Sequence, residues 1–209
     1  MRPLAGELEA YFETVGNLGR RIEASDGQGR AVAPAAAMAW AIQTAENCKS
    51  DKARIYFVGN GGSAGIASHM AIDWMKNGGF AATCFNDGAS LTCLANDLGF
   101  EQVFALPLSR QARPGDLLIA ISSSGKSANI LAAVAAARSA GAKVMTLSGF
   151  TPENPLRRTG DMNFFIPDRL YGFVELAHLC ICHAVLDISM GWRAGGDEPV
   201  YAANTAGTV

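Results

Sequence analysis

The sequence predicts an α/β fold: a doubly wound, parallel five-stranded sheet flanked by helices, with a helical hairpin ahead of it. Three observations carry this. Short apolar runs alternate with helical stretches along most of the chain, and such alternation implies a parallel sheet covered on both faces. The unit of strand, small-residue loop and helix occurs twice, beginning near residues 54 and 116. Of the 209 residues, 49% are hydrophobic and only 17% charged, which suits one compact domain and excludes a disordered chain.

Residues 4–24 read as an amphipathic helix, with Leu4, Leu8, Tyr11, Phe12, Val15, Leu18 and Ile22 near helical spacing. Ser25-Asp26-Gly27-Gln28-Gly29 reads as a turn. An alanine-rich helix follows over 31–49, with Met38, Trp40 and Ile42 as its bulky members. Residues 1–50 therefore form a hairpin expected to pack on the domain or on a neighbouring subunit. Strands are expected at 54–58, 81–85, 116–121, 143–148 and 163–166. Helices are expected at 64–76, from the second loop through Arg138, and at 173–190. Right-handed crossovers between these strands make the sheet doubly wound. The main domain spans 51–193, and the small-residue tail 194–209 is expected to be disordered or draped over a neighbour.

Composition narrows the function. A net charge of −2 offers no electrostatic footprint for nucleic acid or an anionic membrane. The five cysteines, Cys48, Cys84, Cys93, Cys180 and Cys182, sit in apolar stretches and fit no secreted disulfide framework, so a reducing, cytoplasmic setting is expected. Cys180 and Cys182, two apart on a helix, point in nearly opposite directions and read as core rather than as a shared metal site. The acidic start MRPLAGELEAYFETV does not read as a signal peptide, so none is expected, and no apolar run reaches the roughly 18 residues of a membrane span. Imidazole chemistry is confined to His69, His178 and His183.

The two loops are suited to a phosphate. Gly59-Asn60-Gly61-Gly62-Ser63 and Ser122-Ser123-Ser124-Gly125-Lys126-Ser127 both join a strand to a helix. Glycines such as Gly61 and Gly62 let the backbone approach a ligand, and the amides at a helix N-terminus favour an anion. The hydroxyls of Ser122, Ser123, Ser124 and Ser127 donate to phosphate oxygens without desolvating a charge, and Lys126 adds a point charge nearby. Neither loop has the GxxxxGK[ST] form for a nucleoside triphosphate, and Ala64 breaks the GxGxxG dinucleotide pattern.

The chain resembles the SIS (sugar isomerase) domain proteins, most closely the phosphoheptose isomerases. The matching pieces are Val58-Gly59-Asn60-Gly61-Gly62-Ser63 with His69 six residues on, Leu94-Ala95-Asn96-Asp97-Leu98-Gly99 before Glu101-Gln102-Val103-Phe104, Gly115-Asp116, the stretch from Ser122 to Asn129, and a last helix with His178 and His183. The resemblance covers about residues 5–190 and implies a single SIS domain with a flavodoxin-like sheet. It implies a cytoplasmic homotetramer with active sites between subunits. It also implies the interconversion of sedoheptulose 7-phosphate and D-glycero-D-manno-heptose 7-phosphate. By the same resemblance, Ser63, Ser122, Ser124 and Ser127, with Ser123 beside them, bind the phosphate, and Asn60 and Asp97 face the sugar. His183 is the catalytic histidine and a zinc ligand, and His69 is a second zinc ligand. Asp73 stands where the family usually has a glutamate base and ligand. Glu175 stands where it has a glutamine ligand, Gly172 where it has an acid, and Lys126 where asparagine is more frequent.

Aldose–ketose isomerisation through an enediol moves one proton between C1 and C2 and another between O1 and O2, so it needs a positioned base and acid. His69 and Asp73, four apart, share a helix face. Glu175 and His183, eight apart, differ by about 80° around the axis. His69, Asp73, Glu175 and His183 together suit one Zn²⁺, with Asp73 and Glu175 dividing the carboxylate duties and His183 completing the catalytic set. His178, about 140° from His183, reads as a satisfied core histidine, and Trp74 as core or interface. Two other readings stand beside the isomerase. One is a non-catalytic SIS scaffold resembling the protein that associates with the replication initiator. The other is an isomerase of another sugar phosphate in a specialised pathway. A scaffold has no need of four such polar residues together, and a transcriptional sensor would need an attached DNA-binding domain.

Overall fold

A computed structural model describes residues 4–196 of the chain. Its elements run α1 (Leu4–Gly16), a 3-10 turn (Leu18–Arg21), β1 (Glu23–Asp26), β2 (Ala31–Val32), α2 (Pro34–Ser50), β3 (Arg54–Gly59), α3 (Gly62–Lys76), β4 (Ala81–Cys84), α4 (Gly88–Leu98), α5 (Gln102–Gln111), β5 (Leu117–Ser122), α6 (Ala128–Ser139), β6 (Lys143–Gly149), a second 3-10 turn (Pro155–Arg158), β7 (Met162–Ile166) and α7 (Tyr171–Ser189).

The sheet order is β2-β1-β7-β6-β5-β3-β4. The five expected strands are all present and all parallel, with Tyr56 opposite Leu118 and Leu118 opposite Val144 in the central register. Their order is that of a flavodoxin-like sheet, which reverses direction between β3 and β5. The strands are apolar on both faces because both faces are covered. On one side Ile55, Phe57, Leu117, Ile119 and Leu147 pack with residues of α2, α3 and α7. On the other, Tyr56, Val58, Leu118, Ala120 and Val144 pack with α5 and α6. Trp74 is fully buried in the first layer, edge-on to Phe57 at 5.3 Å, so it is core and lines no pocket.

The sheet has seven strands rather than five, and it is mixed. The expected helix 4–24 ends at Gly16, and its last residues instead form β1, antiparallel to β7, with the two-residue β2 beyond it. The turn at 25–29 is real: Asp26 Oδ1 accepts from the amides of Gln28 and Arg30. The partner that makes strands of its flanks, Met162–Phe165, lies far along the sequence. Helices α4 and α5 were not expected, because Gly99 and Pro107 interrupt their periodicity. Of the tail expected over 194–209, residues 197–209 lie outside the described residues.

Helix α7 is long and apolar enough to cross a membrane by length and composition. Here it is a core helix: Val174, Ala177, Ile181, Val185 and Leu186 are buried against the sheet. Cys182 shares this core and burial pushes its thiol up to about 12, whereas Cys180, expected in the core as well, is exposed. His178 is fully buried and its Nε2 meets the Ser148 carbonyl at 3.1 Å. Burial pushes its pKa down to about 4 from 6.5. Between those values the unfolded chain binds the extra proton, so this contribution to stability is complete above pH 6.5 and falls as pH drops toward 4. The gap corresponds to roughly 3 kcal/mol. In urea unfolding, His178→Gln is expected to lose about that much less stability than the wild type between pH 7 and pH 4. Parallel losses in the two proteins would contradict this.

Candidate active site

The two small-residue loops leave the carboxyl ends of β3 and β5, side by side at the point where strand order reverses, which is where open α/β sheets bind ligands. Gly59 is required because a Cβ there would lie 2.5 Å from the Ser63 carbonyl oxygen. Gly61 adopts φ +54°, ψ −124°, open to glycine alone, and turns the chain directly into α3. The loops are tied together by Asn60 and Asn129, whose side-chain amides exchange two hydrogen bonds of 2.9 and 2.8 Å. Asn60, expected to face the sugar, lines the cavity while one N–H and its carbonyl are engaged in this tie.

Between the loops lies a cavity of about 260 Å³. It is lined by Asn60, Gly61, Gly62, Ser63, Ser122, Ser123, Ser124 and Ser127, together with Tyr171 and Glu175 from α7. Ser122 Oγ accepts the Gly125 amide at 3.2 Å and lies 3.3 Å from Ser127 Oγ. Ser124 Oγ accepts the Lys126 amide at 3.3 Å. Because Ser124 Oγ is already an acceptor from the backbone, its O–H is left to donate to a ligand oxygen. Asp97 is not in this cavity. It lies exposed on α4, where its carboxylate accepts from the Asn96 side chain at 2.8 Å.

The serine loop is held from behind by Asn154, which sequence reasoning missed. Its only sequence signal is the Asn-Pro dipeptide of a turn. Asn154 is fully buried. Its Nδ2 donates to Ser148 Oγ and to the carbonyls of Gly149 and Thr151, and its Oδ1 accepts the Arg157 amide. Gly125, at φ +63°, lies directly on this side chain, and the Leu156 amide donates to the Gly125 carbonyl.

His69, Asp73 and His183 form a second group. Their ligand atoms all lie within 4.8 Å of one another. His69 Nε2 is 3.4 Å from Asp73 Oδ2, and the two imidazole rings are 5.4 Å apart. Two imidazole nitrogens and a carboxylate oxygen this close together are donors that can hold a metal ion. Glu175 does not belong to the group. Its carboxylate rests on Gly62, where a Cβ would approach it to 2.4 Å.

Two small-residue loops, one of them followed along α3 by a histidine–carboxylate pair, invite comparison with known proteins. Residues 10–149 match the SIS domain family. The chain is 36% identical over 150 residues to the phosphoheptose isomerase of Thiobacillus denitrificans, covering 66% of this chain and 76% of that protein. The chain belongs to the SIS domain phosphoheptose isomerase family. A second such isomerase of the family, from Rhodospirillum rubrum, is 35% identical over 159 residues, covering 72% of this chain and 82% of the relative. The solved structure of phosphoheptose isomerase GmhA from Neisseria gonorrhoeae superposes with a TM-score of 0.76 at 27% identity, covering 89% of this chain and 99% of the other. Within this SIS domain, the serine-loop cavity lies at the carboxyl end of the sheet, and His69, Asp73 and His183 meet further along α3 and α7.

Proposed function

We propose that the chain is a phosphosugar isomerase that interconverts sedoheptulose 7-phosphate and D-glycero-D-manno-heptose 7-phosphate through an enediol. One observation carries the reading. The phosphate cavity opens at the N-terminus of α3, and His69 lies on the same helix six residues beyond Ser63, about 9 Å along its axis. That spacing suits a sugar held by a terminal phosphate, with its other end at the imidazoles and Asp73. The group of His69, Asp73 and His183, for which a scaffold has no need, also disfavours the scaffold reading.

Ser63, Ser122, Ser124 and Ser127 bind the phosphate, with the amides at the start of α3 behind them. Asp73 is the carboxylate at the far end, so it carries the proton between C1 and C2. His183 moves the proton between the oxygens. Glu175 stands at the phosphate end of the cavity, away from those atoms. His69, Asp73 and His183 would hold the Zn²⁺. When bound, the ion supplies a Lewis acid for the sugar oxygens.

The isomerase is a homotetramer in this reading, with active sites between subunits. Support comes from the apolar residues that one chain leaves exposed beside the site: Leu4, Leu8 and Phe12 on α1, Ile72 and Met75 on α3, and Leu176 on α7. The five free cysteines accord with the cytoplasm. Incubation with sedoheptulose 7-phosphate and shorter ketose phosphates, with and without added Zn²⁺, is expected to convert the seven-carbon substrate best. Failure to turn over any of them would remove the reading.

A further inference from the structure

A second polar cavity, of about 400 Å³, lies at the opposite end of the sheet. It opens beside the first residue of β3 and the turn before β5, about 17 Å from the serine loop by the length of a strand. Lys52, Arg54, Arg110 and Arg113 line it, together with Asp51 and Asp116. All four cations are exposed, so a ligand can reach them. Among the described residues none forms an ion pair with a carboxylate. Asp116 does not serve them: Oδ1 accepts the Arg54 amide and Oδ2 the Arg113 amide, each at 2.8 Å.

A chain of net charge −2 thus gathers four of its 17 lysines and arginines around one opening. The C-termini of α2 and α5 also point here, but each contributes only about half a negative charge. The four cations outweigh both acids and both helix ends. Lys52 follows the end of α2 at φ +56°, a left-handed position that glycine ordinarily fills. A lysine there sits in a disfavoured backbone conformation and lines the cavity. The cations come from two separate segments, and the opening is larger than one phosphate fills. Guanidinium groups match phosphoryl oxygens in paired hydrogen bonds.

We propose that this cavity is a second anion site, distinct from the active site, and that it binds two linked phosphoryl groups. Such groups come free as pyrophosphate or as part of a nucleoside diphosphate. Calorimetric titration of the full chain with inorganic pyrophosphate, and in parallel with ADP, tests the site and tells these sources apart. Binding is expected to weaken as salt rises and to persist in Ser122→Ala/Ser124→Ala, where the serine loop is disabled. It is expected to fall at least tenfold in Arg110→Glu/Arg113→Glu. Lys52→Gln, on the other segment, gives an independent check and is expected to weaken binding severalfold. Arginine and lysine variants that bind like the wild type would overturn the proposal. So would loss of binding in the serine variant, or no wild-type binding of either compound at millimolar concentration.

Discussion

Asp73→Asn is expected to lower kcat/KM for sedoheptulose 7-phosphate by roughly 10²–10⁴, the range typical for loss of a positioned acid–base group. The substitution keeps the size of the side chain and its place beside His69. What it removes is the negative charge and the ability to take a proton. Asp73 is partly exposed on α3, so the fold has little reason to change. His183→Ala is expected to fall in the same range, because it removes an imidazole from the same group. The contrast is Glu175→Gln. Its carboxylate rests on Gly62, at the start of α3 and beside the serine-loop cavity. It is therefore expected to change kcat by less than tenfold, with its main effect on KM. Steady-state kinetics of the three variants check the assignment. A Glu175→Gln loss as deep as that of Asp73→Asn would return the base to Glu175.

Gly125→Ala is expected to disable the serine loop and to destabilise the chain by roughly 3 kcal/mol or more. Two effects add. The residue sits at φ +63°, where a Cβ costs about 1 kcal/mol. That Cβ would also lie 2.0 Å from Asn154 Oδ1 and 2.8 Å from Asn154 Cβ. Asn154 has nowhere to go, because it is fully buried and held by four hydrogen bonds to the end of β6 and its own turn. The loop must move instead, and Ser122, Ser124 and Ser127 move with it. Thermal unfolding and titration with inorganic phosphate check both halves. Unchanged phosphate binding would mean that the loop does not depend on this contact.

The parallel core was legible because each of its strands is short, apolar and followed by a loop or helix with its own composition. The two small-residue loops were legible for the same reason: glycines and serines between an apolar run and a helix leave few alternatives. Strand β1 was not. Glu-Ala-Ser-Asp has no strand pattern, and pairing with β7 across the fold makes it one. Residues of the site separated along the same lines. His69 and Asp73 are four apart, so helix geometry alone places them together, and His183 joins them from α7. Glu175, on the same helix as His183, has its carboxylate at Gly62 instead, a contact made only by the packing of α7 on α3. Asp97 was placed by family likeness, and in this chain it lies exposed on α4, outside the cavity. Asn154 and Tyr171 left no signal beyond a turn dipeptide and an aromatic at a helix start, since their roles arise only from packing.

Proton transfer through an enediol is the central claim, and running the isomerisation in D₂O tests it most directly. Proton NMR of the aldose formed from sedoheptulose 7-phosphate is expected to show deuterium at C2 with the wild type and almost no product with Asp73→Asn. Product formed at the wild-type rate by Asp73→Asn, or no conversion by the wild-type chain with Zn²⁺ supplied, would contradict the account.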